Sequence, residues 1–358
     1  FYTVTDFMQR ALHQFDLHFG GSLGSNIGIA ETDKNKFIIS SIMEEAISSS
    51  QIEGANTTRK KAKEMIQNDR KPRTKSEQMI LNNFITMKHI VQNKDEEITP
   101  DSILHIHKLI TNNTLEDPSD EGRYRSGNDV YVMNHSTSEV VHTPPPQEEL
   151  AILVQSLCHF CNHETEQFIH PIIKGCIVHF MMGWIHPFTD GNGRAARALF
   201  YWYMLKKGYW LTEYLSISRI IQGTKTQYEK AFLYTEIDDY DLGYFITYHL
   251  KTMEKAFEAL KAYISRKQKE VLQAAKFLKI AQVNDRMAQI LKIVHDDPER
   301  ILSIKEIESR FDVSSFTART DLKQLVDLGF LEIVPVNKKK HIYIRSKQFD
   351  KLIDHYLK

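Results

Sequence analysis

HPFTDGNGRAAR, residues 186–197, brings a base, an acid, two glycines and two arginines into one short stretch. Upstream of it, Ile173, Cys176, Ile177 and Phe180 recur at helical spacing, and Pro187 disfavours helical geometry at His186, so a helix is expected to end there. Downstream, Gly191 and Gly193 are expected to take positive φ and aim backbone N–H groups at one point, with Arg194 opening a second helix to about Lys207. A tight turn feeding a helix N-terminus binds anions. Asn192 can add an amide, and Arg194 and Arg197, three residues apart on one helix face, can grip phosphate oxygens in pairs. The stretch lacks the GK[ST] ending of a Walker loop, and no strand-like run precedes it as in a dinucleotide fingerprint.

Phosphate binding leaves two groups over. Asp190 would repel a phosphate unless a cation lay between, and Mg²⁺, which takes one or two carboxylates plus phosphate oxygens, is the natural mediator. His186, whose ordinary pKa is near neutrality, then fits as general base toward an incoming hydroxyl. A plain helix-turn-helix corner with capping glycines and surface charges would account for a lone DGNG, but not for the whole string.

That string resembles the signature of the Fic family, HPFx[DE]GNGRxxR, at every specified position: His186, Pro187, Phe188, Asp190, Gly191, Asn192, Gly193, Arg194 and Arg197. The resemblance implies an enzyme that moves AMP from Mg²⁺-ATP to a protein Ser, Thr or Tyr hydroxyl. His186 would be the base, Asp190 the Mg²⁺ ligand, and the run Gly191 to Arg197, with Ala195 and Ala196 inside it, the phosphate cradle. The partner is then a target protein, or the chain itself, and self-association is left open. Some relatives transfer other phosphate-linked groups.

The composition suits this. The chain has 358 residues, 42% hydrophobic and 26% charged, enough for two or three domains. Lys plus Arg equals Asp plus Glu at 46 each, so nothing in the balance demands nucleic acid or an anionic membrane. Cys158, Cys161 and Cys176, an odd number in helix-like stretches, suit a reducing cytosol and core packing. The longest apolar run is too short to span a bilayer and no signal peptide is visible, so a cytoplasmic location is expected.

In chain order, residues 1–97 read as a helical segment, 98–250 as the Fic-like core, 251–285 as a Lys/Glu-rich helical linker and 286–358 as a winged helix, a mainly α-helical whole. FGGSLGSNIG, residues 19–28, reads as a surface loop. From about residue 37 to 54 helical spacing leads into SSSQIEG, with Gly54 as C-cap. Glu53 would stand in the last turn, where the helix dipole disfavours a carboxylate by roughly 0.3–1 kcal/mol, and Ser49 lies on the same face. Ser49 to Gly54 match the inhibitory pattern [ST]xxxE[GN] of regulated Fic proteins. By that similarity Glu53 pairs with Arg197 and blocks the ATP γ-phosphate, or alternatively positions water to remove AMP from a modified target.

ITPDSILHIHKLI begins with a Thr/Pro/Asp helix entry, and its two histidines, His105 and His107, read as structural. Val130 and Val132, then Val140 and Val141, flank a polar NHSTSE turn and read as a β-hairpin. In the family the corresponding hairpin is a flap that docks the target by strand addition, which assigns Val140, Val141 and His142 to docking. TKTQYEKAFLY resembles the family's closing helices, in which an aromatic lies beside the adenine; Tyr228 is the candidate, with Gln227 where a second tyrosine is common.

Residues 286–358 read helix, turn, helix, strand, wing, strand, with Ser314 as N-cap and Phe316–Leu328 as recognition helix. They hold 14 Lys/Arg against 11 Asp/Glu, weakly basic for DNA binding. Arg319, Lys323 and the wing's Lys338–Lys340 could meet phosphates, but Asp321 and Asp327 are expected to interrupt that face. A protein partner is therefore weighted above DNA. The reading from a different class is a transcription regulator whose Fic region only senses nucleotide.

Overall fold

The computed structural model describes residues 1–19, 34–133, 139–336 and 341–357. The loop expected over 19–28 therefore lies outside the described residues beyond Phe19, as do Lys338–Lys340 and all but the last residue of NHSTSE. The fold is mainly α. In chain order the helices are α1 (Asp6–Phe19), α2 (Lys34–Ile52), α3 (Arg59–Gln67), α4 (Lys75–Gln92), α5 (Pro100–Thr111), α6 (Leu150–Asn162), α7 (Pro171–Ile185), α8 (Asn192–Lys206), α9 (Ile217–Gly223), α10 (Lys225–Ile237), α11 (Gly243–Ala274), α12 (Asp285–Asp296), α13 (Ile304–Phe311), α14 (Ser315–Asp327) and α15 (Phe349–Leu357). Two antiparallel hairpins complete it, β1 (Val132–Met133) with β2 (Val140–His142), and β3 (Leu331–Pro335) with β4 (His341–Arg345). By internal packing the chain forms two units: Phe1–Ile27, Ile38–Ala62 and Pro72–Ala259 in one, Gly28–Phe37, Lys63–Lys71 and Leu260–Lys358 in the other.

The first unit is built around α7 and α8. Pro171 at the first turn, with His170 accepting from the Ile172 amide at 3.3 Å, starts α7. Ile172, Ile173, Cys176, Val178, Phe180 and Ile185 are all buried, so α7 is apolar on every side, the pattern of a helix enclosed by others. Gly175 lets α8 come close: a Cβ there would sit 2.9 Å from the Met204 sulfur and 3.3 Å from Tyr203. The three cysteines are free and buried, and burial pushes the thiols of Cys158 and Cys161 up to about 12. They are core residues. No described helix is long and apolar enough to cross a membrane.

Burial also sets how this unit responds to acid. His107 and His249 are fully buried, and burial pushes their imidazoles down to about 4 and about 3. A histidine whose folded value lies below its ordinary one is protonated first in the unfolded chain, so its stabilisation holds above the ordinary value and is lost as pH falls toward the folded one. For His107 this is on the order of 3 kcal/mol, lost between about pH 6.5 and 4. Thermal melts should show Tm falling steadily through that window; a flat Tm from pH 7 to 4 would contradict it.

The second unit runs α12, an isolated bridge from Leu302 to Tyr343, α13, α14, then the β3–β4 hairpin. Met287, Ile290, Leu291, Leu302, Ile307, Leu322, Leu325, Phe330 and Phe349 form its core. Ser314 caps α14, accepting from the Thr317 amide at 3.2 Å. One expectation is corrected. Asp321 does not interrupt the exposed face of α14: it is buried, accepting from Arg286 Nε at 2.7 Å and from the Asn284 amide at 3.1 Å. A carboxylate four residues before Leu325 lies on the helix's inner face, where a cation from α12 reaches it. The exposed face carries Phe316, Arg319, Thr320 and Lys323, and Asp327 is exposed at its end, as expected.

Candidate active site

α7 ends at Ile185, and His186 takes φ 48° and ψ 55°, the left-handed conformation that costs a non-glycine residue roughly 1–2 kcal/mol. Arg125, buried, holds the turn there: its backbone N–H donates to the Pro187 carbonyl at 2.9 Å and its Nε to the His186 carbonyl at 3.2 Å. The remaining guanidinium nitrogens bond Gly127 and Pro145 on the chain leading into and out of the flap. His186 Nδ1 must donate to the Gly183 carbonyl, 3.0 Å away, which leaves the lone pair on Nε2. Burial, helped by neighbouring His142 and against the Gly183 bond and Glu53, holds this imidazole below its ordinary value. It is neutral near pH 7, the form a general base requires.

The turn after it is closed by its own side chains. Asn192 accepts from the Phe188 amide at 2.9 Å and donates to the Phe188 carbonyl at 2.7 Å. Its amide, expected to face phosphate, is employed in shaping the loop. His107 stacks on Phe188 with centroids 3.7 Å apart, accepts from Gly122 N–H at Nδ1, and donates from Nε2 to the Asp190 carbonyl at 2.9 Å. It is thus structural at the motif itself. Asp190 is exposed at the rim, with Oδ1 accepting from Arg194 Nη2 at 3.2 Å.

The two glycines differ in a way the motif did not disclose. Gly191 has φ +88°, as expected, but Gly193 does not have positive φ; it lies in the first turn of α8, which begins at Asn192 rather than Arg194. Its missing side chain serves close approach instead. A Cβ on Gly193 would overlap the Glu53 carboxylate and come within 3.2 Å of Arg197 Nη1. A carboxylate therefore lies over the N-terminus of α8, where no side chain caps the helix.

Glu53 reaches that point from the end of α2. The Gly54 amide bonds Gln51 and the Ala55 amide bonds Ser50, with Gly54 at φ +89°, a glycine-terminated helix end. Arg197 Nη2 donates to Glu53 Oε1 at 2.7 Å and to the Ser49 carbonyl at 3.0 Å, and Nε donates to Ser49 Oγ at 2.8 Å. Burial would raise the Glu53 carboxyl, but Arg197, with Arg194 and Lys225 beyond, holds it below the ordinary value. Burial would lower Arg197, but Glu53, with Tyr228 and Glu45, raises it overall. Buried Arg197 Nη1 and Arg194 Nε meet no hydrogen-bond partner among the described residues. α2 is itself pinned by Glu45, which sequence reasoning passed over: its carboxylate accepts from the Tyr201 hydroxyl at 2.7 Å and the Ser218 amide at 3.0 Å.

Ala195 and Ala196 are buried in α8, the former with its N–H committed to the Gly191 carbonyl. Tyr228 is only 8% exposed, its hydroxyl 2.8 Å from His179 Nε2, and its ring packs against Phe232 behind Arg197. Val140 and Val141 lie on β2, and His142 at its end stands 6.5 Å from the His186 ring.

Fold and site together define a helical domain whose loop-to-helix turn gathers arginines, a neutral histidine and a rim carboxylate around an anion position. Residues 97–204 match the model of the Fic/DOC family. It is 36% identical over 113 residues to the protein adenylyltransferase Fic of Drosophila virilis, and 34% identical over 116 residues to that of Nematostella vectensis. These matches cover 32% of this chain but only 21% and 25% of those relatives. The fold resembles a Fic family protein from Desulfovibrio desulfuricans, with TM-score 0.60 at 19% identity over 97% of this chain and 98% of that one. It also resembles Fic-1 from C. elegans, with TM-score 0.56 at 20% identity over 72% and 71% of the two chains.

Proposed function

We propose that the chain is a protein adenylyltransferase that transfers AMP from ATP to a target hydroxyl and is held in check by Glu53. The observation that carries this reading is the Glu53 carboxylate lying on Arg197 and over Gly193, an anion held at the helix N-terminus where this reading needs a phosphate. In the reaction the target oxygen attacks the α-phosphorus, the bond to the β-phosphate oxygen breaks, and pyrophosphate leaves. His186 Nε2 takes the hydroxyl proton. The orphaned Arg197 Nη1 and Arg194 Nε supply donors for phosphate oxygens where burial strengthens them.

A single rim carboxylate, Asp190, fits Mg²⁺ bound largely by phosphate oxygens and water, since such ions seldom have an all-protein cage. When bound, the ion would offset charge on the phosphates. Incubation with Mg²⁺ and ATP labelled on the α-phosphate should label protein, and EDTA should remove that signal. Labelling from the γ-phosphate instead would replace this reading with phosphorylation.

The second unit is proposed to select partners through α14. Phe316, 80% exposed beside Arg319 and Lys323, suits a protein surface. Phe316→Ala should change which lysate proteins are labelled while self-labelling persists. Sequence-specific nanomolar binding of duplex DNA would favour the regulator instead.

A further inference from the structure

A groove of about 460 Å³ opens beside the flap. Trp184 and Tyr240, rings edge to face at 6.0 Å, give it an aromatic wall, and Glu149 and Glu236 line it with carboxylates. Among the described residues its only basic lining group is His142, whose ring nitrogens face Glu236 at 2.7 Å and the Trp184 carbonyl at 2.8 Å, so Glu236 is already paired; no described Lys or Arg lines it. The triple proline closing the strand supplies apolar surface. The transfer step as proposed gives no role to Glu149, Trp184, Glu236 or Tyr240.

We propose that this groove receives an arginine or lysine side chain of the target protein, two residues along the strand from the hydroxyl that accepts AMP. The proposal rests on the adenylyltransferase reading. Aromatic faces attract cations through their quadrupole, carboxylates neutralise them, and proline surface accommodates the aliphatic stem. An acidic side chain would be repelled, and a purely apolar one would cover carboxylates without pairing them.

The placement follows from strand geometry. β2 pairs with β1 in a two-stranded sheet, so its other side is an edge to which an extended segment can add. In such a segment alternate side chains share a face at about 3.3 Å per residue, so residues two apart are separated by about 6.6 Å. The His142 and His186 rings are 6.5 Å apart. On a segment added along β2, a hydroxyl facing His186 would then bring the side chain two residues away near His142, at the groove.

The test uses the full-length Glu53→Gly chain and synthetic extended peptides with one threonine and either Arg, Gln or Glu two residues from it, in each direction. Binding is read by fluorescence anisotropy without nucleotide, so the outcome does not depend on transfer. For one direction the Arg peptide should bind about tenfold more tightly than the Gln peptide. Added Glu149→Gln or Tyr240→Ala should remove most of that preference while leaving the Gln peptide unchanged. Both residues are exposed, and circular dichroism would verify folding. Equal binding of the Arg and Gln peptides, preference for Glu, or an Arg preference surviving both substitutions would overturn the proposal. Failure of α-phosphate labelling alongside an Arg preference would instead count against the transferase reading.

Discussion

His186→Ala, made in a Glu53→Gly background, is expected to lower α-phosphate labelling by about 10²–10⁴-fold, the usual contribution of a positioned general base. ATP affinity should change little, because the imidazole lies outside the arginine cradle. The geometry suits the proposed role of base: Gly183 fixes the tautomer, and Nε2 keeps its lone pair. Burial keeps the ring neutral near pH 7. The acid limb of kcat/KM should accordingly lie below the ordinary histidine value, since protonation, not deprotonation, removes the base. Glu53 acts to raise the His186 value, so its loss should move that limb lower still. Near-normal labelling by His186→Ala, or an acid limb above the ordinary value, would exclude this assignment.

Glu53→Gly alone should raise labelling by about ten- to a hundredfold. Breaking a fully buried ion pair typically costs about 3–5 kcal/mol. Here Arg197 is buried, but the Glu53 side chain is 30% exposed, so solvent weakens the pair and a block of about 1.4–2.8 kcal/mol is the better expectation. Ser49 continues to hold Arg197 through two bonds, so the arginine remains aimed when the carboxylate is gone. Glycine is also tolerated at a helix end that already closes on Gly54. Arg197→Ala should not mimic the activation, because it removes a phosphate ligand along with the lock. Equal labelling by wild type and Glu53→Gly across ATP concentrations would show that the carboxylate is not inhibitory. Incubating a pre-labelled target with both proteins tests the other role, since loss of label only with Glu53 present would make the carboxylate part of AMP removal.

Much of the site was legible locally. Pro187 ends a helix, Gly191 turns the chain, and Arg194 and Arg197 share a face because of spacing alone. Glu53 stood out because a carboxylate at a helix C-terminus opposes the dipole, a conflict visible within one turn. Its partner, 144 residues away, came only through resemblance. What local pattern could not supply was the employment of groups whose partners are distant in sequence. His107 meets the Asp190 carbonyl across 83 residues, and Arg125 meets His186 across 61, contacts that the pattern within either stretch does not reveal. Gly193 looked like a turn glycine because composition does not distinguish positive φ from close approach; the Glu53 carboxylate above it does. Asp321 looked like surface charge because spacing cannot show that Arg286 and Asn284 wait on the inner face. The sequence by itself determined a helix, a turn and a helix carrying anion-binding chemistry. Only the tertiary structure decided which anion occupies the turn, because that depends on where α2, pinned by Glu45 to Tyr201 and Ser218, delivers its last residue.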